Sequence, residues 1–483
     1  MSKNPIIIGQ GSYGCAFRPA IPCEKGSNRG IDTKISKVLT KSAADAEYDE
    51  YAKIAKADPK KKFYLGKPQK CLMSQTNYDA HVKKSGCRIL KSNTTSKDYK
   101  MLQYADGGSD LDDFVTIHYK KFVKKSASSQ IDRFWLNAHQ LFMGLKTFSE
   151  KNILHDDLKP QNIVFKFDLA KDTMEFNFID FGLVKDLSTL ISDIQNGVKK
   201  RNFHWSRPID NGFCNLAYKQ IFATRSRNTI IDFYSKLISD SIVQRQPTGL
   251  NISTSAYRLF FEYAENSLNK NTDVMINDNI RYCMEGIMYY QTDFEGFVKK
   301  SLETCDTFSL GFTLNHVANK MHQDGKLNDA DYARLHNFFK KLFDFHVYMR
   351  WSNIDAILNE YESVLRLNGV LGRLGKKFRN HSVVSEKRKQ TVRAFPHLSA
   401  AQARAIGALS PQADPLAPCP PGKERNPATR RCIKIKSNAC PPGKVRNPET
   451  RRCVKDCPPN KIRRNGRCVK LTEQDILELE QVL

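Results

Sequence analysis

Ile153-Leu154-His155-Asp156-Asp157-Leu158-Lys159-Pro160-Gln161-Asn162-Ile163-Val164, followed by Phe178-Ile179-Asp180-Phe181-Gly182, decides the reading of this chain. Carboxylates, a lysine and an amide crowd a short polar loop, and a further acid precedes Phe181-Gly182. Strand-like runs, Asn162 to Phe167 and Glu175 to Ile179, lie between the two groups. Far upstream stands Ile8-Gly9-Gln10-Gly11-Ser12-Tyr13-Gly14-Cys15-Ala16-Phe17. Alone, such a glycine pattern serves many turns and also dinucleotide folds. Here Arg18, Pro19, Ile21 and Pro22 follow, which forbids the helix of a dinucleotide site and fits a strand, turn, strand flap over phosphates. Lys34 to Leu39 then reads as a strand with Lys37 between apolar neighbours, either a solvated edge lysine or a cation for the α- and β-phosphates of a nucleotide. The second role needs a helix-borne carboxylate to fix the lysine, and Glu47 and Glu50 sit one turn apart on the next helix. Glu50 is preferred because Ile54 follows one turn later; Glu47 is the alternative.

With these segments together, residues 5–365 resemble the eukaryotic-type protein kinases: H-x-D-L-K-x-x-N and D-F-G follow a glycine loop and a strand lysine. The resemblance implies an α+β, bilobal kinase fold. The smaller lobe is expected over about 1–104 and the larger over 105–365, with a helical insertion near 211–304. It implies a serine/threonine protein kinase, a phosphotransferase that moves the γ-phosphoryl group of ATP to hydroxyls of protein substrates with Mg²⁺. Phosphoryl transfer asks mainly for positioning and charge neutralisation. By resemblance, Asp157 orients the attacking hydroxyl, Lys159 reaches the γ-phosphate, and Asn162 and Asp180 are oxygen ligands for Mg²⁺. Nucleotide contacts are expected from Ile8, Gly9, Gln10, Gly11, Ser12, Tyr13, Gly14, Cys15 and Ala16, from Lys37 with Glu50, and from Leu102, Gln103 and Ala105. Of these last three, Leu102 would face adenine, with the backbone of Gln103 and Ala105 bonded to it. Asp306 resembles the acid that ties down the catalytic loop, and Arg350 a late structural arginine.

Two departures stand out. Asp156 occupies the position of the arginine that binds activation-loop phosphate in switched kinases, so that switch is expected to be absent. The A-P-E signature is reduced to Arg207-Pro208-Ile209-Asp210, which leaves the partner of Arg350 open. These departures keep a pseudokinase scaffold as one alternative.

The chain has 483 residues, 40% of them hydrophobic, which excludes wholesale disorder. No stretch approaches the roughly 18 apolar residues that cross a bilayer, and Met1 to Ile8 is no secretory signal, so a soluble, unexported protein is expected. The net charge of +26 implies attraction to polyanions, and about two thirds of it lies after residue 366. Cys15, Cys23, Cys71, Cys87, Cys214, Cys283 and Cys305 show no disulfide or metal spacing, so the body reads as reduced and intracellular. A basic, Pro-rich linker is expected over 366–418. Then Cys419-Pro-Pro-Gly-Lys-Glu-Arg-Asn-Pro-Ala-Thr-Arg-Arg-Cys432 recurs as Cys440 to Cys453, and in shortened form as Cys457 to Cys468. An acidic helix is expected over 471–483. The repeats over 419–470 resemble two-cysteine adaptor modules fused to kinases and proteases of large cytoplasmic DNA viruses. The Gly-Ser-Tyr-Gly-Cys flap and divergent loop resemble kinases of the same viruses. That resemblance implies action in the host cytoplasm, at the viral factory, with packaging in the virion. One disulfide per module, a zinc knuckle and a reduced basic tail all remain open readings. The tail would bind an acidic protein or virion component. Lacking aromatic residues for base stacking, it would make only non-specific phosphate contact with nucleic acid, which leaves a packaging protein as the second alternative.

Overall fold

Alternation along three strands sets the first layer. In the computed structural model β1 (Ile6–Gln10), β2 (Gly14–Arg18), β3 (Lys34–Thr40), β4 (Gln69–Cys71) and β5 (Tyr99–Ala105) form an antiparallel sheet in the order β1-β2-β3-β5-β4. Ala16 pairs with Lys37, and Lys37 with Leu102, so these three share one face. Cys15, Phe17, Val38, Tyr99 and Met101 take the other face and pack on Ile21, Met73, Tyr78 and Val82. Helix α1 (Lys41–Ala57) covers the first face with the stripe Ala44, Glu47, Tyr51, Ile54, Ala57, spaced as one side of a helix. On the back face Cys15 bonds to Cys87 and Cys23 to Cys71. This corrects the expectation of unpaired, scattered cysteines: the partners are 72 and 48 residues apart in sequence, and only the folded sheet makes them neighbours.

The structure describes residues 4–374, except 12–13, 26–28, 92, 120–121, 123–127, 169–172, 244–256, 258–260 and 262–271, together with six short strands between 423 and 470. Beyond the sheet the chain is mostly helical. Helix α2 (Ser128–Glu150) packs on a three-stranded antiparallel sheet of β6 (Ser109–Asp110), β8 (Ile163–Asp168) and β9 (Thr173–Phe178); β7 (Ile153–Leu154) pairs with β10 (Lys185–Asp186). Phe114, Phe134, Phe165 and Phe176 knit these elements, with ring centroids 4.8 to 5.6 Å apart. Each such buried ring contributes on the order of 2–3 kcal/mol. Helix α3 (Leu187–Gln195) follows. The stretch expected as a helical insertion contains α4 (Leu216–Thr224), α5 (Arg227–Val243), α6 (Thr272–Met288) and α7 (Phe294–Glu303), and α8 (Cys305–Gln323), α9 (Asp329–Leu342) and α10 (Ile354–Leu367) complete the body.

The architecture is therefore mixed α+β with antiparallel sheets. The compact unit runs to Arg373, a few residues past the expected boundary, because Val370–Leu374 is helical and Arg373 grips Asp132 at 2.6 and 2.8 Å. The second unit, Leu374–Ile476, contributes three hairpins, Lys423–Arg425 with Cys432–Lys434, Lys444–Arg446 with Cys453–Lys455, and Lys461–Arg464 with Arg467–Lys470. Most of the expected linker, the first cysteine of each repeat and the acidic segment 471–483 lie outside the described residues. Among the described residues, no helix is long and apolar enough to cross a membrane.

Candidate active site

Lys37 is fixed by two carboxylates. Its Nζ donates to Glu47 Oε2 at 2.8 Å and to Asp180 Oδ1 at 2.9 Å. Glu47 is buried, and its Oε1 accepts the Tyr104 hydroxyl at 2.6 Å. The expectation of Glu50 is corrected here: Glu50 turns outward to Lys53 at 2.7 Å, because the inward stripe of α1 passes through positions 44, 47, 51 and 54. Burial works against the charge on Lys37, but Asp180 and Glu47 outweigh it and hold its pKa above the usual lysine range. Burial also opposes charge on Asp180; Lys37, then Lys159 and His155, nevertheless keep its carboxyl below the usual carboxylate range.

The loop after β7 brings the second group together. Asp306, at the start of α8, accepts the backbone N–H of His155 at 2.7 Å and of Asp156 at 3.1 Å. The next residue, Asp157, receives Lys159 Nζ at 2.8 Å and Asn162 Nδ2 at 3.0 Å on Oδ2, and Ser206 Oγ at 2.8 Å on Oδ1. Ile179 N–H donates to Asn162 O at 3.0 Å, so the loop is stitched to the residue before Asp180. Asp180 itself adopts a left-handed backbone, φ 60°, which turns its carboxylate away from β9's register. Phe181 is buried edge-on against Tyr51 of α1, with centroids 5.1 Å apart. Lys37 with Asp180, and Asp157 with Lys159 and Asn162, thus form two polar groups drawn from β3, the loop after β9 and the loop after β7, joined by the Ile179 to Asn162 backbone bond and by the charge of Lys159 acting on Asp180.

The glycine segment is only partly described; Ser12 and Tyr13 lie outside the described residues. Gly11 N–H donates to Gly14 O at 2.9 Å, closing the turn between β1 and β2. A Cβ on Gly14 would come within 2.7 Å of Val38 O and Leu39, whereas on Gly9 or Gly11 it would meet, among the described residues and apart from its chain neighbours, no atom closer than 4.0 Å. Gly14 is thus demanded by packing, while the described residues do not crowd Gly9 or Gly11. Ala16 lies on the Lys37 face. Cys15 does not: it faces the back of the sheet and is bonded to Cys87, which corrects its place among the nucleotide contacts. Gln10 likewise turns to Arg88, accepting its N–H at 3.2 Å.

Leu102 is buried on the Lys37 face. Gln103 is flanked by Ser36 on β3 and Gln69 on β4, so its backbone belongs to the sheet interior, and its side chain donates to Ile21 O at 2.8 Å. The expectation that its backbone is free for a base is corrected. Ala105, paired only with Lys34, is exposed at the strand's end.

Three participants were not singled out from the sequence. Tyr104 and Ser206 make the contacts just described, and Asp210 is the partner of Arg350, meeting it at 2.6 Å with both side chains at 0–1% exposure. Tyr104 lies two residues from Leu102 along β5, a signal that places it on the Lys37 face; Ser206 lies in a stretch without periodicity. The donor set fits a hard cation: Asn162 commits its Nδ2 to Asp157, which leaves Oδ1 as its free donor atom, and Asp180 adds a charged carboxylate. No family model matches the chain, and no curated protein matches it by sequence.

Proposed function

We propose that the chain is a protein kinase of bilobal fold that transfers the γ-phosphoryl group of ATP to serine or threonine hydroxyls. One observation carries the reading: Lys37, locked by the buried carboxylate of Glu47, meets Asp180 from 143 residues further along the chain, and the residue before Asp180 is bonded to the loop in which Asn162 holds Asp157. Lys37, partly buried and held in place by two carboxylates, presents a fixed cation that nucleotide phosphates can use.

In this reading Lys37, held by Glu47, binds the α- and β-phosphates beneath the turn formed by Gly9 and Gly11. Asn162 and Asp180 would hold Mg²⁺, which would supply positive charge to neutralise the phosphates. Asp157 orients the acceptor hydroxyl and takes its proton, and its two oxygens are already directed by Asn162, Lys159 and Ser206. Lys159 lies 2.8 Å from Asp157 and is the cation available to the transferring phosphoryl group. Recruitment of a substrate or virion component by the hairpin unit belongs to the same proposal.

The test is phosphate transfer from labelled ATP to protein acceptors by the full chain, beside Asp157→Ala. A loss of at least about 1,000-fold in the variant, at unchanged thermal stability, supports the reading. Equal turnover in both removes Asp157 from the reaction and overturns the assigned site, and nucleotide binding without turnover in the parent sinks the enzyme and leaves a scaffold.

A further inference from the structure

Asp156 has no part in the reaction just described, yet it is among the most constrained residues of the chain. It is 1% exposed, its backbone is left-handed at φ 68°, and Asp306 holds its N–H. Its carboxylate receives two guanidinium groups. Arg201 donates through Nη1 at 2.7 Å and through Nη2; Arg207 donates through Nη2 at 3.0 Å, and its Nε reaches Asp156 O at 3.0 Å. Both arginines belong to one irregular segment, and both are largely buried, at 5% and 12% side-chain exposure.

Between them the segment carries Ser206, whose Oγ meets Asp157 at 2.8 Å and whose carbonyl accepts Ser309 Oγ at 2.8 Å. Arg201 continues to Asn211 Oδ1 at 3.0 Å, and Asn211 Nδ2 to Ser301 Oγ at 2.8 Å. Two positive charges in a desolvated site are tolerable only with a fixed counter-charge, and Asp156 is the carboxylate that meets both. A carboxylate there cannot also attract a phosphate group.

We propose that Asp156 is a positioning residue: by clamping Arg201 and Arg207 it delivers Ser206 to Asp157, and it does so in the unmodified polypeptide, with no phosphate on the segment. The clamp replaces an added charge by a genetically encoded one of the same sign. The proposal rests on the kinase reading for its catalytic consequence, but the geometry of the clamp does not.

The experiment therefore has two readouts on the full chain. Amide hydrogen exchange over 199–213 is compared in the parent, Asp156→Asn and Arg207→Met, the last keeping one of the two pairs as a milder lesion. Expected are exchange at least about tenfold faster over this segment in Asp156→Asn and a smaller rise in Arg207→Met, with β3 and α1 unchanged. In the transfer assay, kcat should fall about 10- to 100-fold while KM for ATP stays within about twofold, because nucleotide contacts are untouched and the acceptor's orienting group is not. Phosphatase treatment of the parent should leave kcat unchanged. Unaltered exchange over 199–213 in a folded Asp156→Asn, or in Arg207→Met if Asp156→Asn does not fold, overturns the clamp. A phosphatase-induced loss of activity overturns its independence from phosphate. A parent without turnover removes the kinase reading, and the exchange pattern then decides the clamp alone.

Discussion

Replacing Glu47 by Gln removes one of the two charges that hold Lys37, while Tyr104 can still donate to the amide oxygen. Turnover should fall about 100-fold, since a lysine displaced by an ångström loses its phosphate geometry. Glu50→Gln serves as the control: it breaks a partly exposed pair with Lys53, worth under about 1 kcal/mol, and should leave activity as it was. Steady-state kinetics of the two variants side by side separates them, and equal losses would discard the assignment of Glu47. Asp110 offers a second residue-level test. Burial pushes its carboxyl up to about 7, with the charges of Asp113 and Asp112 adding and the Asp113 N–H opposing. An unfolded aspartate titrates near 4, so between about pH 4 and 7 the folded chain retains a proton that the unfolded chain has lost. The contribution of Asp110 to stability therefore falls as pH rises through that window and levels off above it. Asp110→Asn keeps the hydrogen-bond acceptor without the titration, so its urea midpoint should gain on the parent between pH 4.5 and 7.5.

At the scale of elements, the strands and helices were legible where one face is buried. Lys34 to Leu39, Asn162 to Phe167 and Glu175 to Ile179 each correspond to an observed strand, with ends shifted by at most two residues. What sequence periodicity could not settle is which of two neighbouring polar residues a helix turns inward. Glu47 belongs to the run 44, 47, 51, 54 and Glu50 does not, yet both precede Ile54 at helical intervals. Cross-strand neighbours were equally hidden: Gln103 sits inside the sheet only because the short β4 pairs beside it, and nothing in Gln69-Lys70-Cys71 announces a strand. The segment 199–213 gave no period at all, and its order comes from side-chain bonds. The Arg350 to Asp210 pair is its far anchor, with Ser301 Oγ also donating to Asp210 at 2.5 Å. Asp210→Asn leaves a buried guanidinium without its counter-charge and should cost about 3–5 kcal/mol. Urea unfolding measures it, and a change under 1 kcal/mol would mean that the pair is not closed in solution.

For the molecule as a whole, the two cross-links on the back of the sheet were invisible in the sequence because their spacing carries no pattern, unlike the repeat cysteines. Each closes a loop of about 50 to 70 residues, which restricts the unfolded chain by about 4 kcal/mol. Reduction should therefore lower the urea midpoint markedly, whereas a chain that unfolds identically with and without reductant is unlinked.

The same cross-links leave the body chemically quiet. Cys214, Cys283 and Cys305 are its free thiols among the described residues; all are buried, and burial pushes Cys214 up to about 12 and the other two well above the ordinary thiol range. A brief exposure of native protein to iodoacetamide should thus spare everything before Arg373. The mass added to the intact chain then counts the reduced sulfurs beyond that residue, and an alkylation-ready handle on the hairpin unit, if any sulfur there reacts, comes without engineering a single codon.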